Sequence, residues 1–271
     1  MDFDAYLKDL ERARPAHEDP EDRGPENLVV LRRISSTNRI ARDVVAEYER
    51  EAQHLYPLLV LAFEQTEGRG RQGRAWSSPA GQGVYAARVL TVDDVELLQS
   101  LPLLVGIGLC RGMARHLPAP CRLKWPNDLI IETPEGRRKI GGILIEALVR
   151  PGPSQDPSAA AIIGFGLNHG AVDELPEVGT SLRRLGGDVS LADFTWEVIS
   201  SLERELRHLG DLPYAVAAYR ELSIHRPGDA ISARVGDTVV EGRFTGFDDR
   251  GRLLLDRNGE ELKLTAGEVI E

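Results

Sequence analysis

The sequence predicts an α+β protein in two parts, a large domain that mixes strands with amphipathic helices and a small all-β unit after it. Three observations lead there. Strand-length apolar runs such as 57–63 and 160–165 lie between segments with helical spacing as far as residue 222. From Ile224 the texture changes to short strands separated by turn residues. Asn258-Gly259 then marks a tight hairpin, because both central positions of such a turn need positive φ. A chain of 271 residues has room for one substantial core and a second small one.

In chain order, Phe3, Tyr6, Leu7 and Leu10 follow the i, i+3, i+4, i+7 spacing of a short amphipathic helix. Residues 14–26 are rich in Pro, Asp and Glu and read as a linker or arm, so 1–26 forms an N-terminal helix and linker. This is too short for a helix-turn-helix domain ahead of the core. A strand is expected at 28–33. Ser35, Ser36 and Thr37 offer N-caps for a helix to about Gln53, with Ile40, Val44 and Tyr48 on one face. Strands follow at 57–63 and 84–90, and a helix entered near 95–101 and resumed after Pro102 runs to about His116. Three further strands are expected at 121–125, 129–132 and 139–149, with a surface loop at 151–158 and a buried strand at 160–165. Helices at 191–209 and 214–222 close the first part, giving a main domain over 27–223. Strands at 230–235, 238–247, 251–256 and 261–264 form a small barrel over 224–271, which is too small for a large core and is expected to dock on the main domain.

Composition narrows the function. The net charge is −10, which argues against a chain that coats nucleic acid. Residues 68–74 nevertheless hold three arginines and no acid, a cationic spot suited to a small anion. Only four lysines occur, at 8, 124, 139 and 263, in a chain that otherwise uses arginine. A compact ammonium and a planar fork are not interchangeable at a tight site, which singles out Lys124 and Lys139. Cys110 and Cys121 lack metal-ligand spacing and read as buried thiols of a reducing cytoplasm. No apolar run approaches the roughly 18 residues that cross a bilayer, and the acidic N-terminus is no secretory signal.

Four segments carry chemistry. Gly68-Arg-Gly-Arg-Gln-Gly-Arg-Ala-Trp76 contains G-x-G-x-x-G, but Pro79, Gly81 and Gly83 forbid the helix that a dinucleotide fold requires next. It reads instead as a glycine-hinged loop presenting Arg69, Arg71 and Arg74 to phosphate oxygens, mobile until an anion neutralises it. Trp76, just beyond the loop, also admits a plain core reading. In Lys124-Trp-Pro-Asn-Asp128, Asn127 and Asp128 offer hard oxygen ligands of the kind magnesium takes beside a nucleotide, although the same pattern also makes a plain turn. In Lys139-Ile-Gly-Gly-Ile-Leu-Ile-Glu146, paired glycines permit close approach to a strand and Lys139 can hold a carboxylate. Gly164-Phe-Gly-Leu-Asn168 can form one wall of a flat pocket, and His169 beside it reads as structural. There is no Walker loop and no Ser-His-Asp or Cys-His order.

In this order, Ser36-Thr37-Asn38, the Gln65 to Trp76 segment, Lys124–Asp128, Lys139–Glu146, Gly164–Asn168 and Gly179-Thr-Ser-Leu182 resemble the biotin protein ligases over roughly 28–271. Each motif is weakly specific, whereas the ordered set is very specific. The resemblance implies a mixed-sheet catalytic domain related to class II aminoacyl-tRNA synthetases and an SH3-like C-terminal domain. It implies that ATP, with Mg2+, activates biotin as biotinyl-5'-AMP, and that a lysine of a biotin carboxyl carrier protein then takes the biotinyl group. Ser36, Thr37, Asn38, Gln65, Gly68, Arg69, Gly70, Arg71, Lys139, Gly142, Gly164 and Gly166 would surround biotin or its adenylate, with Arg71 and Lys139 catalytic. Lys124, Asn127, Asp128 and Asn168 would serve the nucleotide, Asn127 and Asp128 also the metal. The branch implied lacks a DNA-binding domain, is cytoplasmic, touches no membrane and can form a homodimer. Gln72, Thr66-Glu67 and His169 are small departures; Glu67 sets a carboxylate beside the anion loop. Lipoate or octanoate ligation, a non-catalytic biotin- or adenylate-binding regulator and a DNA-binding repressor are the competing readings.

Overall fold

The computed structural model describes residues 1–14, 27–51, 53–151, 157–171 and 178–270. Its first seven strands are β1 (Asn27–Leu31), β2 (Leu58–Ala62), β3 (Gly83–Val92), β4 (Cys121–Lys124), β5 (Asp128–Thr133), β6 (Gly136–Pro151) and β7 (Pro157–Asn168). They form one mixed sheet in the order β1-β2-β3-β7-β6-β5-β4. Only β1 and β2 run parallel, because helix α2 (Thr37–Arg50) carries the chain back between them. The other neighbours are antiparallel.

Side-chain alternation divides the core between the two faces of this sheet. Leu59, Leu61, Val84 and Ala86 join a large cluster with α1 (Phe3–Ala13), α3 (Leu101–Met113), α4 (Leu191–Leu206) and α5 (Leu212–Leu222). Leu58, Val60, Ala87 and Val89 pack on the opposite side against Ala41 and Val45 of α2. Every residue of β2 is buried, as expected of a strand covered on both faces. Between α3 and α4 the backbones approach closely: a Cβ on Gly108 or Gly112 would lie 2.8 Å from a Cα of α4. The N-terminal helix is part of this core. Tyr6 and Leu10 are buried, and the Trp196 indole donates to the Leu10 carbonyl at 2.7 Å.

The C-terminal part is an antiparallel sheet of β8 (Ala230–Val235), β9 (Thr238–Phe247), β10 (Leu253–Arg257), β11 (Glu260–Leu264) and β12 (Glu268–Ile270), ordered β11-β10-β9-β8-β12. Asn258 and Gly259 both have positive φ, as their hairpin requires. This sheet docks on the main domain. Phe247 meets Tyr219 edge-on at 5.2 Å, and Phe244, Phe247 and Leu253 belong to the large cluster.

Several boundaries differ from expectation for local reasons. Residues 95–99 form a 3-10 turn, and α3 begins at Leu101 because Pro102 suits a first helical turn, where its missing N–H costs nothing. Helix α2 ends at Arg50 and α4 at Leu206. Pro151 and Pro157, expected in a loop, end paired strands facing each other, and 152–156 lie outside the described residues. Most of the acidic arm, 15–26, lies outside them too. The last strand, β12, has no counterpart in the sequence expectations.

Candidate functional site

Helix α2 covers only part of its face of the sheet. Beyond its N-terminus the strands β5, β6 and β7 are left uncovered, and a pocket of about 360 Å³ lies there. Its floor follows from strand periodicity. Gly142 and Leu144 of β6 pair with Gly166 and Gly164 of β7, so three of four positions on this face have no side chain. A Cβ on Gly166 would lie 2.4 Å from Trp76 Nε1, and one on Gly164 would lie 2.0 Å from Asn38 Oδ1. The glycines therefore admit planar groups directly onto the backbone.

Lys139 joins this face through a β-bulge. Register shifts between Leu129, opposite Gly141, and Ile130, opposite Lys139, which leaves Ile140 as the extra residue. The insertion puts Lys139 and Gly142 on one side, where regular alternation would separate them. The Lys139 ammonium lies 2.6 Å from Asp128 and 5.4 Å from the Trp76 ring centre. The backbone of Lys139 is fixed by Val178 and Thr180, bonded at 2.7 and 2.9 Å.

At the opposite end Gln65 ties three elements together. Its Oε1 accepts from the Thr37 backbone N–H at 2.8 Å and from the Thr37 hydroxyl at 3.1 Å, and its Nε2 donates to Ser78 Oγ at 2.8 Å. Ser36 occupies the N-cap position of α2 without the expected side-chain capping bond, and Gln65 satisfies the first helical N–H instead. Asn38 lines the pocket but donates to the Leu144 carbonyl and to Glu146, both at 3.3 Å, bolting α2 to β6.

The arginine segment is an ordered hairpin, with Gly70 N–H bonded to Arg74 O and Trp76 N–H to Gly68 O at 2.8 Å each. Gln72 and Gly73 turn it with positive φ. Arg71 donates to Asn127 Oδ1 at 3.0 Å and to the Gly267 carbonyl at 2.9 Å. Burial pushes the Arg71 pKa down, against the pull of Asp128 and Glu268. Arg74 pairs with both carboxylate oxygens of Glu268. In this conformation a carboxylate of the chain itself, Glu268, supplies the anion that Arg74 meets. Glu67 faces Arg39 at 3.8 Å.

Of the residues singled out from the sequence, Ser36, Thr37, Asn38, Gln65, Arg69, Gly70, Arg71, Lys124, Asn127, Asp128, Lys139, Gly142, Gly164 and Gly166 line the pocket. Gly68 does not line it; a Cβ there would lie 2.3 Å from the Trp76 carbonyl, so this glycine lets the hairpin close. Asn168 also stands outside, donating to the Thr180 carbonyl at 2.9 Å while its own carbonyl accepts from Leu182. Trp76, which closes the arginine-loop motif and also admitted a core reading, lies on the pocket floor with its indole N–H buried and unpartnered. Glu268 and Val269 were not anticipated, and no local pattern marks them. Among the described residues no cluster of three His, Cys, Asp or Glu side chains could hold a metal. A cation here would take Asp128, and the Asn127 amide oxygen already engaged by Arg71, with phosphate oxygens completing its shell.

Comparison with known proteins identifies the family. Residues 30–168 match the biotin/lipoate A/B protein ligase family, which is more than half of the chain. The chain belongs to that family. Residues 228–270 match the biotin protein ligase C terminal domain. The chain is 32% identical over 263 residues to a biotin--[acetyl-CoA-carboxylase] ligase of Mycobacterium tuberculosis, covering 91% of this chain and 90% of that one. It is 28% identical to the bifunctional ligase/repressor BirA of Bacillus subtilis, over 90% of this chain and 74% of the relative. The fold resembles the biotin protein ligase of Aquifex aeolicus solved with biotin and ATP, with TM-score 0.68 at 23% identity over 90% and 98% of the two chains.

Proposed function

We propose that the chain condenses biotin with ATP to biotinyl-5'-AMP, releasing pyrophosphate, and transfers the biotinyl group to a lysine of a biotin carboxyl carrier protein. One observation carries this reading: a slot floored by Gly142, Gly164 and Gly166 has hydrogen-bonding groups at one end and cationic groups at the other. Thr37, Gln65 and Ser36 suit a polar heterocyclic head, and Arg69, Arg71 and Lys139 suit a carboxylate becoming an acyl phosphate.

The chemistry needs positioning and charge stabilisation rather than a protein nucleophile. Lys139 would hold the biotin carboxylate against the α-phosphate, and Arg71 would cover the charge that develops as pyrophosphate leaves. Lys124, Asn127 and Asp128 would form the nucleotide side, and Asp128 would also hold magnesium, whose chemistry is to neutralise the phosphates. In the second step the carrier amine attacks the acyl carbon, a C–N bond forms and AMP leaves. Asn168 is better read as a support for the Thr180 segment than as an adenylate ligand.

The same reading divides the chain at 1–26, 27–223 and 224–271, with the N-terminal helix packed on the main core, a catalytic domain related to class II aminoacyl-tRNA synthetases and an SH3-like C-terminal domain; the family matches at 30–168 and 228–270 fall inside the second and third parts. The net charge of −10 argues against DNA as a partner, and the buried free thiols Cys110 and Cys121 suit a reducing cytoplasm; no helix among the described residues is long and apolar enough to cross a membrane. A homodimer belongs to the same proposal. Incubation with ATP, magnesium, biotin and a carrier domain, read by intact mass, tests the function. A biotinyl adduct on the carrier is expected. Pyrophosphate exchange that responds to lipoate and not to biotin would overturn it.

A further inference from the structure

The C-terminal sheet does more than pack against the catalytic domain, because β12 reaches the arginine hairpin. Glu268 and Val269 form part of the pocket wall. The Glu268 carboxylate receives both terminal nitrogens of Arg74, and the Gly267 carbonyl accepts from Arg71. Residues some 190 positions apart in sequence thus meet at the loop proposed to cover the acyl phosphate. The Glu268 side chain is about one-third exposed and that of Arg74 more than half. A pair so placed is weak enough to open for substrate and geometrically specific enough, being bidentate, to choose one closed position.

From this geometry we infer that Glu268 is a positioning residue of the ligase reaction: through Arg74 it holds the arginine hairpin shut over the mixed anhydride until the carrier lysine arrives. The inference rests on the functional reading above. The intermediate is a reactive acyl phosphate, and an open loop exposes it to water and to any passing amine. With a bystander lysine, the amine nitrogen bonds to the acyl carbon and the carbon–oxygen bond to phosphate breaks. AMP leaves with the electron pair, and the amine proton goes to solvent. With water the products are biotin and AMP. A second contact, Arg71 on the Gly267 carbonyl, leaves the hairpin attached at one point when the ion pair is removed, so the loss is graded.

The test measures leakage as a ratio, namely adenylate released to solution or captured by bystander lysines of added serum albumin, divided by adenylate formed. This ratio does not depend on how fast each variant makes the intermediate. Glu268→Gln and Arg74→Gln are each expected to raise it about fivefold, the factor that corresponds to roughly 1 kcal/mol for an exposed bidentate pair. The reciprocal exchange, Arg74→Glu with Glu268→Arg, is expected to bring it back to within about twofold of the starting chain. A merely structural role for Glu268 would give no such rescue. Ratios equal to that of the unaltered chain in both single variants would overturn the inference, as would an exchange that leaks as much as the singles. If the unaltered chain makes no biotinyl adenylate, the functional reading itself fails, and the inference falls with it.

Discussion

Gly164→Ala is the substitution whose consequences the structure defines most closely. The position has ordinary strand geometry, so alanine fits the backbone and would by itself favour the strand by roughly 0.5–1 kcal/mol over glycine. The added Cβ would lie 2.0 Å from Asn38 Oδ1 and 2.6 Å from its Cγ. Asn38 must therefore move, and it sits at the start of α2 with its amide tied to Leu144 and Glu146. Those bonds are long at 3.3 Å and contribute about 0.5 kcal/mol each. A displaced side chain held off its rotamer costs about 0.5–1.5 kcal/mol, and an amide left without partners about 1–3. Net destabilisation comes to roughly 1.5–5 kcal/mol, read as a lower urea midpoint with unchanged slope. Asn38 lines the pocket, so its displacement should raise the biotin KM about tenfold or more, as when a pocket gains one methylene too many, with a much smaller change for ATP. A stability within about 0.5 kcal/mol of the parent together with an unchanged biotin KM would refute the account of the glycine floor.

Three other perturbations test separate parts of the argument. Lys139→Met should slow biotin-dependent pyrophosphate exchange about a hundred- to a thousandfold, the usual effect of removing a donor from developing charge, and an unchanged rate would remove Lys139 from the mechanism. Arg88 and Glu203 form an ion pair between β3 and α4 that is largely shielded from solvent. Arg88→Met should cost about 3–5 kcal/mol in urea unfolding by stranding the Glu203 carboxylate, while Arg88→Met with Glu203→Leu should recover most of it. His169 is buried against Phe194 and donates to the Val189 carbonyl at 2.9 Å, and burial pushes its pKa below the ordinary 6.5. Between the lowered folded value and 6.5 the unfolded chain binds more protons, so His169 should reduce stability as pH falls below 6.5. Glu268, held below 4.5 by the hydrogen bond from Arg74, should add its own loss only in stronger acid, as pH falls below 4.5. Comparing urea midpoints of the parent and His169→Gln at pH values on either side of 6.5 checks the first; a drop of equal size in both would exclude His169 as its source.

Local sequence determined much of this protein. The Gly68–Trp76 segment shows a turn-rich cationic loop because glycine spacing and charge are properties of neighbouring residues. Gly142, Gly164 and Gly166 announce a floor because strand alternation maps every second residue to one face. Helix α1 and the hairpin at Asn258-Gly259 are likewise legible from periodicity and turn chemistry. What remained hidden depends on long-range pairing. The bulge at Ile140, which turns Lys139 onto the glycine face, exists only in the register between β5 and β6. Trp76 stands between Ala75 and Ser77 with no local pattern that fixes its direction, so only the tertiary structure shows it lying on the pocket floor. Cys110 and Cys121 are buried as expected, yet only folding sets their sulfurs 2.9 Å apart. Glu268 is the clearest case: it is an ordinary carboxylate near the end of the chain until β12 pairs with β8 and delivers it to Arg74. Composition and spacing determine which chemical groups are available, whereas packing between distant segments decides which of them meet.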